Sequence, residues 1–158
     1  MSERDRMRMT DQEVAAFLEE CTRAYLTTNG PDGWPHVVPL SYILLDGDVA
    51  FWTDGTSRKV RNLRADDRMG CLVEQGDDIG DFRAVHLRGR AEIIDDRDTS
   101  AAVGTRLFTR YSEGPLDPRA EAYAATLAPQ RVVVRLHAER TVSWDHRKMM
   151  VDLDAMGR

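Results

Sequence analysis

Cysteine is scarce in this chain: among its 158 residues, only Cys21 and Cys71 carry a thiol. The two lie far apart in the sequence and outside any CxxC pattern, which argues against a disulfide scaffold. A cytoplasmic protein with reduced thiols is therefore expected. Because Cys71 lies in an apolar run, we expect its thiol to be buried and unreactive.

Long apolar runs are also missing. No stretch approaches the length that crosses a bilayer, and Met1–Arg8 lacks the apolar core of a secretory signal, so no membrane segment is expected. The net charge of -5 argues against a general nucleic-acid-binding surface, which would be basic. His137 and His146 have no carboxylate or second histidine at ligand spacing, so no metal site is expected.

The common catalytic motifs are absent as well. The chain has neither a Walker loop nor a GxGxxG motif, and no set of serine, histidine and aspartate can be argued from spacing. The sequence therefore identifies no catalytic residue.

Four helices are predicted. Thr10 and Glu13 match the capping-box pattern, which begins a first helix over residues 11–21. Helical spacing of apolar residues predicts the others over 58–65, 98–111 and 119–127. We expect residues 1–9 to be a disordered tail, residues 10–148 a single domain, and residues 149–158 a second tail.

Six or seven short strands are predicted around these helices, over residues 24–28, 35–45, 49–53, 70–74, 85–94, 132–136 and 141–144. The fifth is the clearest, because Val85 and Leu87 alternate with His86 and Arg88, as in a half-exposed antiparallel strand. Many short strands with few helices indicate a mainly β fold, an antiparallel barrel whose helices cover openings or edges.

A basic cluster is unusual in this acidic chain. The segment Ser57–Arg64 follows the strand-like run Val49–Trp52 and opens a helix. A helix N-terminus presents free N–H groups and partial positive charge, which suit a phosphate. Ser57 can cap the helix and donate to a phosphate oxygen, while Arg58 and Lys59 add cationic donors. A solvated basic helix face is the alternative, and residue chemistry leaves both open.

With this order of elements, the chain resembles the split-barrel flavin-binding family of the pyridoxamine 5′-phosphate oxidases and the flavin/deazaflavin-dependent oxidoreductases. The resemblance covers about residues 10–148. Its main carrier is the block Ser57–Arg68 in its strand–helix context; weaker carriers are Ala24–Thr28, Gly33–Pro39, Phe51–Thr53 and Val142–Lys148. It implies a six- to seven-stranded antiparallel split β-barrel, and FMN, or alternatively the deazaflavin F420, bound between the subunits of a homodimer.

The resemblance also implies which residues hold the cofactor. Ser57, Arg58 and Lys59 would hold its phosphate, and Arg61 and Asn62 would support that loop or touch the phosphate. The remaining implied contacts are His36, Val37, Val38 and Pro39 beneath the isoalloxazine ring, Trp52 and Thr53 on the ribityl side, and Trp144 and Arg147 closing the site, either from the same subunit or from its partner. Residue chemistry leaves other roles open for three of them: a strand histidine for His36, a core aromatic for Trp52 and an interface anchor for Trp144.

The implied function is a flavin-dependent oxidoreductase that transfers hydride to or from a small molecule. The pyridoxamine oxidases end in an Arg-Pro-x-Arg-Leu pattern, but this chain has Trp144–Lys148 there instead. That departure argues against oxidation of pyridoxamine 5′-phosphate itself. A flavin- or heme-binding carrier or sensor without turnover is the alternative function.

Overall fold

The computed structural model describes residues 2–112 and 117–149. Within these ranges the helices are α1 (Glu3–Met7), α2 (Asp11–Glu20), α3 (Arg58–Ala65), α4 (Arg97–Tyr111) and α5 (Pro118–Leu127), with a 3-10 turn at Ala128–Gln130. The strands are β1 (Arg23–Asn29), β2 (Pro35–Leu45), β3 (Asp48–Asp54), β4 (Arg68–Gln75), β5 (Arg83–Ile94) and β6 (Arg131–Asp145).

The strands form a closed barrel in the order β1–β2–β3–β6–β5–β4, and β4 pairs back with β1. Every pairing is antiparallel. The turn between β2 and β3 has positive φ angles at Asp46 and Gly47, 52° and 89°, as a two-residue hairpin requires. The predicted antiparallel barrel with flanking helices is confirmed.

One prediction about the strands is wrong. The expected sixth and seventh strands, over 132–136 and 141–144, are one continuous strand, β6. Its register with β5 shifts between Arg88 and Gly89, where one extra residue of β6 bulges out. Before the bulge, the even-numbered residues up to Leu136 are buried. Because the bulge adds one residue, the buried residues after it are odd-numbered, Ser143 and Asp145. This change of parity made one strand resemble two.

Two apolar cores lie on either side of the barrel wall. One fills the barrel interior and includes Phe51; the other lies between the wall and helices α4 and α5 and includes Trp52. Strand β3 therefore buries both of its faces, from Val49 through Thr53. This explains why β3 is a continuous apolar run without alternation.

The N-terminal residues differ from the expected disordered tail. Residues Glu3–Met7 form helix α1, which begins with a capping box at Ser2. Met9 is buried, and its N–H donates to Ser143 Oγ over 3.1 Å. Residues 150–158 of the expected C-terminal tail lie outside the described residues. No helix in the described part of the chain is long and apolar enough to cross a membrane.

Candidate functional site

Ser57 is the N-cap of helix α3, as the basic cluster predicts. Its backbone is extended, and its carbonyl accepts from Arg61 N–H over 3.0 Å, which starts the helix. Its side chain, however, makes no capping hydrogen bond. The Ser57 Oγ is buried and has no hydrogen-bond partner within the described residues. Since buried polar atoms in folded proteins are nearly always hydrogen-bonded, this hydroxyl indicates a place for an external oxygen.

Two cations flank this hydroxyl. Lys59 is half-buried, and its burial lowers the pKa of its ammonium below the ordinary value; Asp54 opposes that effect. Arg58 is exposed and lies 3.6 Å from Asp32 in the turn between β1 and β2. Both side chains therefore lie beside the helix N-terminus, and neither forms a short ion pair with another described residue.

The loop before the helix is held by other residues. Arg61 Nη1 donates to the Thr56 carbonyl, and Arg64 Nη1 donates to the Gly55 carbonyl over 3.3 Å. Asp54 accepts from the Thr56 N–H and hydroxyl over 2.7 and 2.6 Å. Arg61 thus supports the loop, as the resemblance implies, and this leaves Arg58 and Lys59 as the cations for a ligand.

Asn62 connects the helix to the barrel. Its Nδ2 donates to Thr28 Oγ1 over 3.0 Å, and both residues are buried. Thr53 is also buried, on the interior side of β3. Next to the helix, a cleft of about 360 Å³ is lined by Asn29, Gly30, Pro31, Arg58, Arg61, Asn62, Ala65 and Asp66. Three of these lining residues, Arg58, Arg61 and Asn62, are among those that the resemblance assigns to cofactor binding.

The four assigned residues of β2 do not share one face. Val37 and Pro39 are exposed on the outer surface, with Val37 54% exposed. His36 and Val38 are half-buried on the opposite face, and Val38 packs against the barrel core. A ligand on the outer surface of β2 would therefore contact Val37 and Pro39 through their side chains, and the other two only through backbone.

Trp52 belongs to the outer core. Its Nε1 donates to Ser100 Oγ over 2.8 Å, and its ring meets Phe108 edge-on with centroids 5.9 Å apart. A side chain at Gly104 would lie 2.7 Å from this ring, so helix α4 approaches it closely. These contacts with α4 explain the burial of Trp52 without any cofactor. They agree with the role of a core aromatic, which residue chemistry leaves open for Trp52.

Trp144 and Arg147 lie at the other end of the barrel from Ser57. The start of β6 pairs with β3 beside the Ser57 loop, whereas Trp144 pairs with Ala84 near the strand's end. The two ends of β6 are roughly 40 Å apart along the strand. Arg147 is bound to Asp145 through Nε and Nη2 over 2.9 and 2.6 Å. A single subunit therefore does not bring these residues to the Ser57 site.

Arg131 is a site residue that sequence reasoning missed. Its guanidinium lies 4.7 Å from the Trp52 ring centroid, and it pairs across the sheet with Asp54. Its charge also lowers the pKa of Lys59. No local signal points to Arg131, because it reaches the site only through the pairing of β3 with β6.

Comparison with known proteins yields one family. A model of the pyridoxamine 5′-phosphate oxidase family matches residues 10–145. Among solved structures, the conserved hypothetical protein Rv2991 from Mycobacterium tuberculosis is 35% identical, with a TM-score of 0.86; the match covers 95% of this chain and 93% of that one. No curated protein matches.

Two further structures illustrate the range of proteins with this fold. An F420 reductase is 25% identical with a TM-score of 0.61, and the match covers 80% of this chain and 93% of that one. HutZ, the heme storage protein of Vibrio cholerae, is 17% identical with a TM-score of 0.66, covering 89% and 99%. At this low identity, HutZ shows only that the fold is shared.

Proposed function

The chain belongs to the pyridoxamine 5′-phosphate oxidase family of split barrels, and we propose that it is a flavin-dependent oxidoreductase that holds FMN at the N-terminus of α3. The observation that carries this proposal is the buried Ser57 Oγ, which has no hydrogen-bond partner within the described residues. A phosphate oxygen at this position would accept a hydrogen bond from that hydroxyl. It would also accept hydrogen bonds from the free N–H groups in the first turn of the helix.

The residues around Ser57 have separate tasks. Arg58 and Lys59 neutralise the phosphate, and the partial burial of Lys59 strengthens its interaction with an anion by excluding water. Arg61 and Arg64 hold the preceding loop in place through their bonds to the Thr56 and Gly55 carbonyls. The site is therefore largely organised before the ligand arrives, which lowers the entropic cost of binding.

Bound FMN would supply the hydride chemistry, and the protein would supply binding, orientation and exclusion of water. This division fits a chain whose sequence contains no recognisable catalytic triad. F420 is the second candidate cofactor, supported by the 25% identity to an F420 reductase. The acceptor or donor is a small molecule.

The proposal includes a homodimer. Trp34 is 74% exposed and Val37 54% exposed beside the Ser57 end of the barrel, an apolar surface that a second copy would cover. Trp144 and Arg147, which lie at the far end of the same subunit, would reach the flavin from the partner. A flavin bound in this way would contact both subunits.

Titration with FMN and with F420 tests the phosphate site. Lys59→Ala should weaken binding about 10- to 100-fold, the range for loss of a charge-assisted bond. Ser57→Ala should weaken it less. Arg97→Ala is the matched control, because Arg97 is an exposed cation at the first turn of another helix, α4. Unchanged affinity of Lys59→Ala for both cofactors would contradict the proposed site.

Turnover separates an enzyme from a carrier. The loaded protein is reduced without oxygen and mixed with quinone, nitro and aldehyde acceptors while flavin absorbance is followed. An oxidoreductase should show reoxidation that saturates with one class of acceptor. Reoxidation no faster than that of free FMN with every acceptor would instead indicate a flavin-binding carrier.

A further inference from the structure

Several charged side chains on the outer face of β5 and β6 have a polar partner. The pairs are Arg90 with Asp67 at 2.6 Å, Glu92 with His137 at 2.8 Å, and Arg135 with Asp48 at 2.8 Å. The second and third pairs link neighbouring strands, and the first links β5 to the residue just before β4. Polar partners are therefore present along most of this face.

Arg88 and Arg140 break this pattern. They are directly opposite each other across the β5–β6 pairing, and both are exposed. Neither side chain has an ion pair or hydrogen bond with any residue in the ranges 2–112 and 117–149. Like charges directly opposite on adjacent strands destabilise a sheet, so this pair carries a cost that a bound anion would reduce.

Nearby carboxylates do not supply that anion. Glu139 lies in the bulge next to Arg140, but its carboxylate is 3.5 Å from Arg90. Asp5 lines the cleft on the Arg140 side, but its carboxylate accepts hydrogen bonds from Ser2. The two arginines therefore keep donors available for a molecule from outside.

Arg88 lines a cleft of about 380 Å³ on this face, together with Thr27, Asn29, Arg68, Met69, Gly70, His86, Gly89, Arg90 and Glu139. Gly70 forms an open part of its floor, because a side chain there would contact Thr27 and His86 at ordinary distances. Asn29 also lines the cleft beside helix α3. The arginine cleft therefore adjoins the cleft along the side of α3, which Arg58 and Arg61 also line.

We infer that Arg88, with Arg140 beside it, binds the anionic group of the substrate, a small molecule that carries a carboxylate or a phosphate. This inference rests on the proposed function, because it places the substrate next to the flavin. Arginine suits the role, since its planar fork binds both kinds of oxyanion through two parallel hydrogen bonds. The flat floor at Gly70 leaves space for the remainder of the molecule.

Calorimetric titration of the full chain, with and without FMN, tests the inference with three probes of similar shape. Benzoate carries a carboxylate, phenyl phosphate a phosphate, and benzamide no charge. At least one anion should bind the parent about tenfold or more tightly than benzamide. Arg88→Gln should lose most of that preference, Arg140→Gln part of it, and the exposed control Arg97→Gln none.

Three results would overturn the inference. The first is equal binding of all three probes, including no measurable binding of any. The second is an Arg88→Gln variant that keeps the preference of the parent. The third is an Arg88→Gln variant that dissociates a dimer without changing anion affinity, which would assign the arginine pair to a subunit contact.

The FMN affinity, measured separately, distinguishes failure of this inference from failure of the proposed function. If the parent binds neither FMN nor F420, the flavin proposal fails, and the anion titration of the unloaded protein still decides whether Arg88 forms an anion site. If FMN binds but the anions do not, only the assignment of Arg88 fails.

Discussion

Asn62 Nδ2 donates a hydrogen bond to Thr28 Oγ1 over 3.0 Å, and this buried bond joins helix α3 to strand β1. Asn62 lies in the helix that begins at Ser57, whereas Thr28 lies in the barrel wall. A buried polar contact between two side chains that are far apart in sequence therefore helps to fix the helix against the barrel, together with the packing of Val60 and Leu63 in the core.

Removal of that contact should affect both stability and the site. Asn62→Ala leaves the Thr28 hydroxyl without its partner, so the free energy of unfolding should fall by about 1–3 kcal/mol. FMN affinity should fall as well, because the helix loses one of the contacts that fix it against the barrel. Urea unfolding and FMN titration measure the two effects. In a double-mutant cycle with Thr28→Val, additive losses would show that the bond does not couple the two residues.

Trp144 should be the tryptophan that reports flavin binding. Trp34 is exposed and Trp52 is buried beneath α4, whereas Trp144 is half-buried near the end of β6. If the partner's end of the barrel closes the flavin site, bound FMN should quench Trp144, and Trp144→Phe should remove much of that quenching. Fluorescence titration measures this. Quenching as complete as in the parent would show that the C-terminal segment does not contact the flavin.

Arg110 should be important for stability, because it caps another helix. Its Nη2 donates to the carbonyls of Leu18, Glu19 and Cys21, which end helix α2 without helical partners. Arg110→Met should therefore lower the free energy of unfolding by about 2–3 kcal/mol. Arg106→Met is the matched control in the same helix. Arg106 is exposed and donates once, to the Leu44 carbonyl over 2.7 Å, so its loss should cost less than about 1 kcal/mol. Equal losses in urea unfolding would contradict the capping role.

The ion pair of Lys148 with Glu13 should give a small pH-dependent contribution to stability. Lys148 Nζ lies 2.7 Å from Glu13 Oε2, and its hydrogen bond is the largest cause that lowers the pKa of Glu13 from 4.5 to about 2. A carboxyl group whose pKa is lowered by folding stabilises the folded state at pH values above its ordinary pKa. This contribution is lost as the pH falls from 4.5 towards 2. Because the pair is partly exposed, we expect only about 0.5 kcal/mol.

Chemical denaturation of Lys148→Gln and the parent at several pH values measures this contribution. The difference between them should be present at neutral pH and should shrink as pH falls from 4.5 towards 2. In a Glu13→Gln background the same lysine substitution should have no pH-dependent effect. A difference that stays constant down to the lowest pH would show that Lys148 stabilises by packing.

Local sequence patterns predicted most of the elements to within one or two residues. The helix predicted over 58–65 is Arg58–Ala65 in the structure, and the strand predicted over 35–45 is Pro35–Leu45. Such predictions succeed because capping, turn chemistry and alternation act between residues close in sequence. The same rules failed at β6, where a bulge opposite Gly89 reversed the alternation, and at α1, which was predicted as a disordered tail.

The site was predicted in part. The cluster Ser57–Lys59 could be identified because a helix N-terminus, a hydroxyl and two cations adjoin one another in sequence. Arg131 could not be identified, because its position beside Asp54 arises from the pairing of β3 with β6. Trp52 was assigned to the cofactor, but its contacts with Ser100 and Phe108 come from a helix that begins more than forty residues later.

The sequence by itself determined the antiparallel barrel, the helix that starts at Ser57 and the family, since each depends on short-range patterns or on motifs in order. Only the tertiary structure decided that β6 is one strand, that Ser57 Oγ is buried without a partner, and that Trp144 lies at the far end of the subunit. It also decided that Arg88 lies opposite Arg140 across the pairing of β5 with β6. These features depend on strand register and barrel closure, which bring together residues that are distant along the chain and that local periodicity does not relate.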